Sequence, residues 1–497
     1  MVRIGFIYPG HESLGIEYLS ANLKINGFQT KLFLDPVLFC ETHFLQNKTL
    51  ASILSFHKII LKKIVEFKPD LFCFSVTTDN YVWACEWARI IQQNFEVPII
   101  FGGVHATSVP ERIIKEPFVD YVCVGEGDFA VIELAESIRS KKPNFSIPNI
   151  WSKNNGTIYS NDVRPPIADL NTLSFPDKDL YYETAPVFRY GYLISSSRGC
   201  PFSCTYCCNN IYNSLYERYG GFIRKRNADN VIEELVIARA KYNPKFIHFV
   251  DEVFNYDYEW LKGFLEKYIK EVKLPFSCYC YPNFTDKALI ELLKKAGCFK
   301  VQIGLQTVDE TKRAKVFKRG SDAEKIAKTI DYFRDAGVYI TSDTIFGFPE
   351  ESEKELISVC EFYNEHTPNH CENFWLRYYP KTQITQWALA NKYITSEINE
   401  KIEKGEYSTG LVRQPGHSKI NPYASKLMLF LRLYPFLGKK IRTFILKGKF
   451  YRLLPGISQI FSLIILRIFN RPRYDLNTLR TAKKYLYFCR VKIFGGG

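Results

Sequence analysis

The chain has 497 residues, 46% hydrophobic and 24% charged, a balance that excludes wholesale disorder and leaves room for several domains with large apolar cores. Its net charge of +14 is local: Tyr407–Tyr474 carries 13 Lys or Arg and no Asp or Glu, the residues after it add +4, and residues 1–406 sum to −3. This distribution points to an anionic partner at the C-terminal fifth, a membrane surface or nucleic acid, and not to a property of the whole molecule. The N-terminus MVRIGFIYPG reads as a buried strand and not as a secretory leader. With 14 cysteines, that implies a reducing, cytoplasmic setting in which clustered thiols bind metal or react.

In chain order, RIGFIYPG reads as a strand and GIEYLSANLKING as a helix stopped at Gly27. TKLFLDP, LFCFSVTT, PIIFGG and YVCVGEG follow as strands, with YVWACEWARIIQQNF, VPERIIKE and FAVIELAESIRS as helices. Continuous apolar strands between helices predict, for residues 1–150, a parallel sheet covered on both faces. Ligands of such sheets bind beyond the carboxyl ends of the strands. The loops there are YPGHESLG, SVTTDN, GGVHAT and GEGD. Singly, each is ordinary tight-turn chemistry; four small polar loops together suggest a cofactor floor.

Residues 151–190 lose this rhythm and contain Pro165, Pro166, Pro176 and Pro186, which reads as a linker. Over 191–400 the alternation returns in YLISSS, KFIHFVDEVF, FSCYCYP, FKVQIGLQT and YITSDTIFGFP. A barrel or partial barrel is expected, with its chemistry at the strand carboxyl ends. Residues 401–497 form a third region, basic, apolar-rich and mostly helical. Within 420–470, apolar and aromatic clusters alternate with single basic residues, and the longest uncharged run, Leu453–Leu466, is too short to span a bilayer. An interfacial amphipathic segment fits, giving a peripheral contact with the cytoplasmic membrane face. A soluble helical cap is the plain alternative, and nucleic acid is the least supported partner.

The densest cysteine cluster lies in RGCPFSCTYCCNN, where Cys200, Cys204 and Cys207 have the spacing C-x3-C-x2-C. A structural zinc site needs four N or S ligands, and no His follows at ligand spacing. A redox C-x-x-C reading leaves Cys200 unexplained. Three thiolates on a tight loop after a strand suit a 4Fe-4S cluster with one iron open to a non-protein ligand.

SRGCPFSCTYCCN resembles the signature loop of the radical S-adenosylmethionine superfamily, including the aromatic Tyr206 before the last ligand. The resemblance implies that Cys200, Cys204 and Cys207 hold the cluster and that S-adenosylmethionine chelates the fourth iron. Reduction by an external flavodoxin- or ferredoxin-type donor would then cleave it to a 5′-deoxyadenosyl radical. Cys208 falls outside the pattern and is expected to pack into the barrel. Asp251 and Glu252 end a strand where the family places an acidic pair near the methionine ammonium; the plain alternative is a helix N-cap. CYCYPN resembles the strand that carries a ribose contact, with Asn283 or Tyr281 in place of the family's Arg. In VQIGLQT, Gln306 replaces a Glu and loses its charge. DTIFGFPEES resembles the strand ending in G-x-P, which sets Ile345, Phe346, Gly347 and Phe348 against adenine.

LGIEYLSANLKINGF, PDLFCFSVTT, IIFGGVHAT and YVCVGEGD resemble the cobalamin-binding domain that precedes the barrel in one large class of these enzymes. The implied α/β architecture is an N-terminal Rossmann-like (flavodoxin-like) parallel-sheet domain, a (β/α) partial TIM barrel and a mostly helical C-terminal region. Cobalamin would lie on Ser75, Thr77 and Thr78, on Gly102, Gly103, Val104, His105 and Thr107, and on Gly125, Glu126 and Gly127. The D-x-H-x-x-G motif whose His ligates cobalt is absent. His105 is therefore either an axial ligand or, as the alternative, a loop-structuring residue. The implied activity is methylation of an unactivated carbon of a small-molecule or lipid substrate at the barrel mouth. Cobalamin-assisted cyclisation or rearrangement is the runner-up. A non-catalytic iron–sulfur or zinc interaction protein is the rival, against which Asp251, Glu252 and the GFP turn speak.

Overall fold

The computed structural model describes residues 1–39, 48–406, 421–455 and 476–494. Five buried apolar strands form the parallel part of the first sheet: β1 (Arg3–Pro9), β2 (Gln29–Asp35), β3 (Leu71–Ser75), β4 (Ile99–Gly102) and β5 (Tyr121–Cys123). Their order, β2-β1-β3-β4-β5, is that of a doubly wound flavodoxin-like sheet. Two further strands, β6 (Ile150–Asn154) and β7 (Thr157–Tyr159), extend it antiparallel beyond β5. The first domain therefore continues past residue 150 into what reads as linker from sequence. The rest of that segment is equally fixed, because Lys178 is buried between Glu12 and Glu17 at 2.9 and 2.7 Å. Removing one partner of such a buried set costs about 3–5 kcal/mol, so the segment is welded to the first domain.

The second sheet is six-stranded and wholly parallel, in the order β15-β14-β13-β12-β11-β8. Its strands are β8 (Tyr192–Ile194), β11 (Ile247–Phe249), β12 (Phe276–Tyr279), β13 (Cys298–Gln306), β14 (Tyr339–Phe346) and β15 (His370–Trp375). A small ribbon, β9 (Ser197–Arg198) with β10 (Arg224–Lys225), sits at its mouth. This is the expected partial barrel. Asp257, Asp286 and Asp322 cap the helices that return the chain, each accepting an N–H from the first turn.

The C-terminal region is helical where described and does not stand apart. Leu427, Met428 and Leu431 of helix Ala424–Leu433 join the barrel core, whereas Phe488 of helix Leu476–Phe494 joins the core of the first domain. Among the described residues no helix is long and apolar enough to cross a membrane. Residues 456–470 of the expected interfacial segment lie outside the described residues.

Candidate active site

The cysteine loop leaves the carboxyl end of β8 and is tied down along its length. Gly199 has φ +90°, and a Cβ there would stand 2.4 Å from the Phe222 carbonyl oxygen, so only glycine fits. Phe202 stacks on Tyr281 with ring centroids 4.0 Å apart. Thr205 donates its backbone N–H to Phe317 O (3.2 Å) and its hydroxyl to Val316 O (2.7 Å). The Asn210 amide gathers the carbonyls of Cys204, Thr205 and Cys207 at 3.0, 3.2 and 2.5 Å. Three thiols are thereby held near one another at the barrel mouth. Burial pushes the Cys200 thiol up to about 12, with Glu252, Cys207 and Cys204 adding to the effect, and burial also raises Cys204, opposed by Arg319. These two thiols therefore stay protonated at neutral pH in the absence of a metal.

Cys208 does not pack into the barrel. It hydrogen-bonds to Cys207, drawing that thiol down to about 7, and lines a cavity of about 710 Å³ between the domains together with Tyr206, Thr77, Thr78 and Val104.

The acidic pair divides its roles. Asp251 is buried and accepts from Ser196 N (3.0 Å), Ser196 Oγ (2.7 Å) and Ser197 Oγ (2.5 Å). It therefore anchors the entry to the cysteine loop, and it is not a helix cap, since the next helix begins at Tyr258 under Asp257. Glu252 instead lines a second interdomain cavity, of about 490 Å³. Gln306 sits at φ +63° with its buried Oε1 lacking a hydrogen-bond partner. Asn283 is exposed and donates to Gly320 O (3.0 Å), while Tyr281 is buried beneath the guanidinium of Arg319. Phe346, Gly347 and Phe348 are buried. Gly347 N donates to Glu351, Phe348 packs on Phe317 and Trp387, and Ile345, partly open, shares its cluster with Tyr206.

Opposite the cysteine loop stand the loops of the first domain. Ser75, Gly102, Gly103, Gly125, Glu126 and Gly127 line the 490 Å³ cavity, which Asn209, Tyr212 and Glu252 close from the barrel side. A Cβ on Gly103 would lie 2.8 Å from Val76 O, and one on Gly127 would lie 3.2 Å from Cys123 Sγ. The cavity continues inward between sheet and helices along Leu14, Leu19, Cys73 and Val131. A glycine-lined mouth opening on an apolar slot fits a corrin with a nucleotide tail.

Three of the expected cobalamin contacts are also bonded within the protein. His105 is 1% exposed, its Nδ1 meets Thr78 Oγ1 at 3.1 Å and its ring lies 4.4 Å from that of Tyr81. It lines neither cavity. The Thr107 hydroxyl donates to Gly103 O (2.9 Å) and accepts from Gly125 N (3.0 Å), stapling two loops. Glu126 accepts from Arg198 (3.1 Å), from Arg224 (3.0 and 2.8 Å) and from Ile167 N (2.9 Å). With Asp128 accepting from Arg198 at 2.8 and 3.0 Å, it forms an ionic joint between the domains.

Arg319 is the residue that sequence reasoning missed. From the loop after Val316 it reaches Cys204 Sγ at 4.0 Å, Tyr206 Oη at 3.3 Å and Gly304 O at 2.9 Å. No spacing signals it, because only tertiary contact brings it to the cysteines. Asp79, which lines the 710 Å³ cavity, and Arg377, paired with it at 2.8 Å, went unread for the same reason.

Profiles of two families match the chain, the B12 binding domain over residues 4–135 and the radical SAM superfamily over 194–363. An uncharacterized methyltransferase of Pyrococcus horikoshii is 25% identical over 354 residues, 69% of this chain and 74% of that protein. The anaerobic magnesium-protoporphyrin IX monomethyl ester cyclase of Rubrivivax gelatinosus is 22% identical, over 81% of this chain and 71% of its own. Among solved structures, the radical S-adenosylmethionine methyltransferase TsrM of Kitasatospora setae, with cobalamin and a 4Fe-4S cluster bound, shares the fold at a TM-score of 0.63. Its identity is 17%, over 79% of this chain and 75% of that one.

Proposed function

The chain belongs to the cobalamin-dependent radical S-adenosylmethionine enzymes, and from that premise we propose that it methylates an unactivated carbon of a hydrophobic or natural-product substrate. The observation that carries this reading is a single cavity of about 490 Å³ shared by the glycine loops of the first domain and by Glu252, Asn209 and Tyr212 beside the cysteine loop. The likeness to a protein named a methyltransferase supports it. When bound, the cluster, S-adenosylmethionine and cobalamin would supply radical generation and a transferable methyl group.

The chain's own residues bind, orient and exclude water. Cys200, Cys204 and Cys207 hold the cluster, and Arg319 lies against Cys204 and Tyr206 as a fixed cation. Glu252 accepts the methionine ammonium, Gln306 offers its free Oε1, and Ile345 supplies apolar surface to the adenine. Asp251 and Asn210 act through the loop they position. On the opposite side Gly102, Gly103, Gly125 and Gly127 would admit the corrin, and Ser75 lines the same cavity. Thr77, Thr78 and Val104 border the neighbouring 710 Å³ cavity, where Trp83, Tyr206 and Tyr379 give an aromatic lining suited to an apolar substrate. The reductant is a one-electron donor of flavodoxin or ferredoxin type, and the setting is cytoplasmic. Support for that setting comes from the cysteines of the described residues, all of which are free.

Anaerobically reconstituted protein given dithionite and S-adenosylmethionine should release 5′-deoxyadenosine. Cys200→Ala, Cys204→Ala and Cys207→Ala should each abolish that product, and Cys208→Ala should keep most of it. Equal behaviour of all four variants would sink the ligand assignment. Incubation with cell extract should yield a product heavier by one methyl group. A product at unchanged mass or lighter by two hydrogens would instead favour rearrangement or ring closure, the reading that the likeness to a cyclase supports.

A further inference from the structure

Helix Lys439–Lys447 and the turn Phe450–Leu453 close the outer side of the barrel. The inward residues of the helix, Arg442 and Leu446, are buried, and Tyr451 fills the barrel core. Its outward face is not the polar face a solvent-exposed helix presents. Phe444 is 65% exposed, Ile441 52% and Leu453 80%, with Phe450 stacked on Phe444 at 5.0 Å between ring centroids. Phe436, 46% exposed, lies just before the helix. Lys440, Lys447 and Lys449 are exposed around these rings; none makes a close ion pair among the described residues, and Lys449 feels only the Glu353 carboxylate that Arg452 already holds. No acidic residue occurs anywhere between Tyr407 and Tyr474.

We propose that this face is a docking surface for an anionic lipid bilayer, with Ile441, Phe444, Phe450 and Leu453 entering the acyl boundary and Lys440, Lys447 and Lys449 meeting the headgroups. Interfacial helices combine these two features, apolar area for depth and cations for headgroup charge. A second copy is the poorer occupant: a two-fold contact would set the three lysines against their own images. The proposal is independent of the reaction assigned above.

The test uses the full chain, reconstituted anaerobically, with vesicles of equal parts phosphatidylglycerol and phosphatidylcholine, and with phosphatidylcholine alone. The protein should sediment with the anionic vesicles, much less with the neutral ones, and less as salt is raised. The double variant Phe444→Ser/Leu453→Ser should bind about tenfold more weakly or worse, and so should Lys440→Gln/Lys447→Gln/Lys449→Gln. Both should melt like the parent, since the altered side chains face outward. The proposal is overturned if the parent stays in the supernatant, or if both variants sediment like it. It is equally overturned if the parent self-associates without vesicles and the double variant does not, or if RNA binds in place of vesicles.

Discussion

His105 has lost its imidazole to the fold. Burial pushes its pKa down to about 3, with the Glu403 backbone partly offsetting. The sign follows from linkage. The unfolded chain takes up this proton near pH 6.5 and the folded one does not, so the stability due to neutral His105 is present above about 6.5. It is lost as pH falls toward 3, at about 1.4 kcal/mol per unit. Urea denaturation of His105→Gln, followed from pH 7 to pH 5, should therefore show a shallower loss of stability than the parent. An unchanged slope would mean that the ring is not buried neutral. At this scale the sequence was only partly legible. Cys200, Cys204 and Cys207 stand out by spacing, and the ligand role proposed for them rests on that spacing, because a short loop would hold a cluster only with its ligands close along the chain. Arg319, Arg198 and Asp128 do not, since their partners lie far away in sequence.

Among the elements, β15 (His370–Trp375) went unread because its buried Cys371, Asn373 and Trp375 alternate with polar or open residues. Most other strands of the two sheets were readable from an apolar run that only a doubly covered sheet can bury. The hairpin Ile150–Tyr159 escaped for the opposite reason. It is an edge pair whose second strand is exposed, so it carries no such run. Its one signal was the Asn155–Gly156 turn, with both residues at positive φ (48° and 79°), the hairpin turn that Asn-Gly favours. The two kinds of glycine loop can be separated experimentally. Gly156→Ala meets no neighbour within 4 Å and should cost about 1 kcal/mol, from the left-handed backbone alone. Gly103→Ala adds contacts of 2.8 and 2.9 Å with the Val76 backbone and should cost about 2–3 kcal/mol. It should also weaken cobalamin uptake, read as retained corrin absorbance after gel filtration. Equal losses of stability would show that the GGVHAT loop is slack.

At the scale of the whole molecule, both domains and their order were legible, but the way they are joined was not. Glu126 was read as a cofactor contact because it lies between two glycines, and the structure gives its carboxylate to Arg198 and Arg224. That joint ties the GEGD loop to a residue two positions before Cys200, so the corrin side and the cluster side share one short mechanical path. The prediction drawn from this joint is that occupancy on one side biases the other, in which case binding free energies obey reciprocity. Corrin affinity, titrated by absorbance, should be several-fold higher in protein that carries its cluster than in protein stripped of it, and cluster retention should rise by the same factor when corrin is bound. In Arg198→Ala both ratios should fall toward one. The two halves of the enzyme would then be filled as a pair, with the half-loaded protein the least populated state.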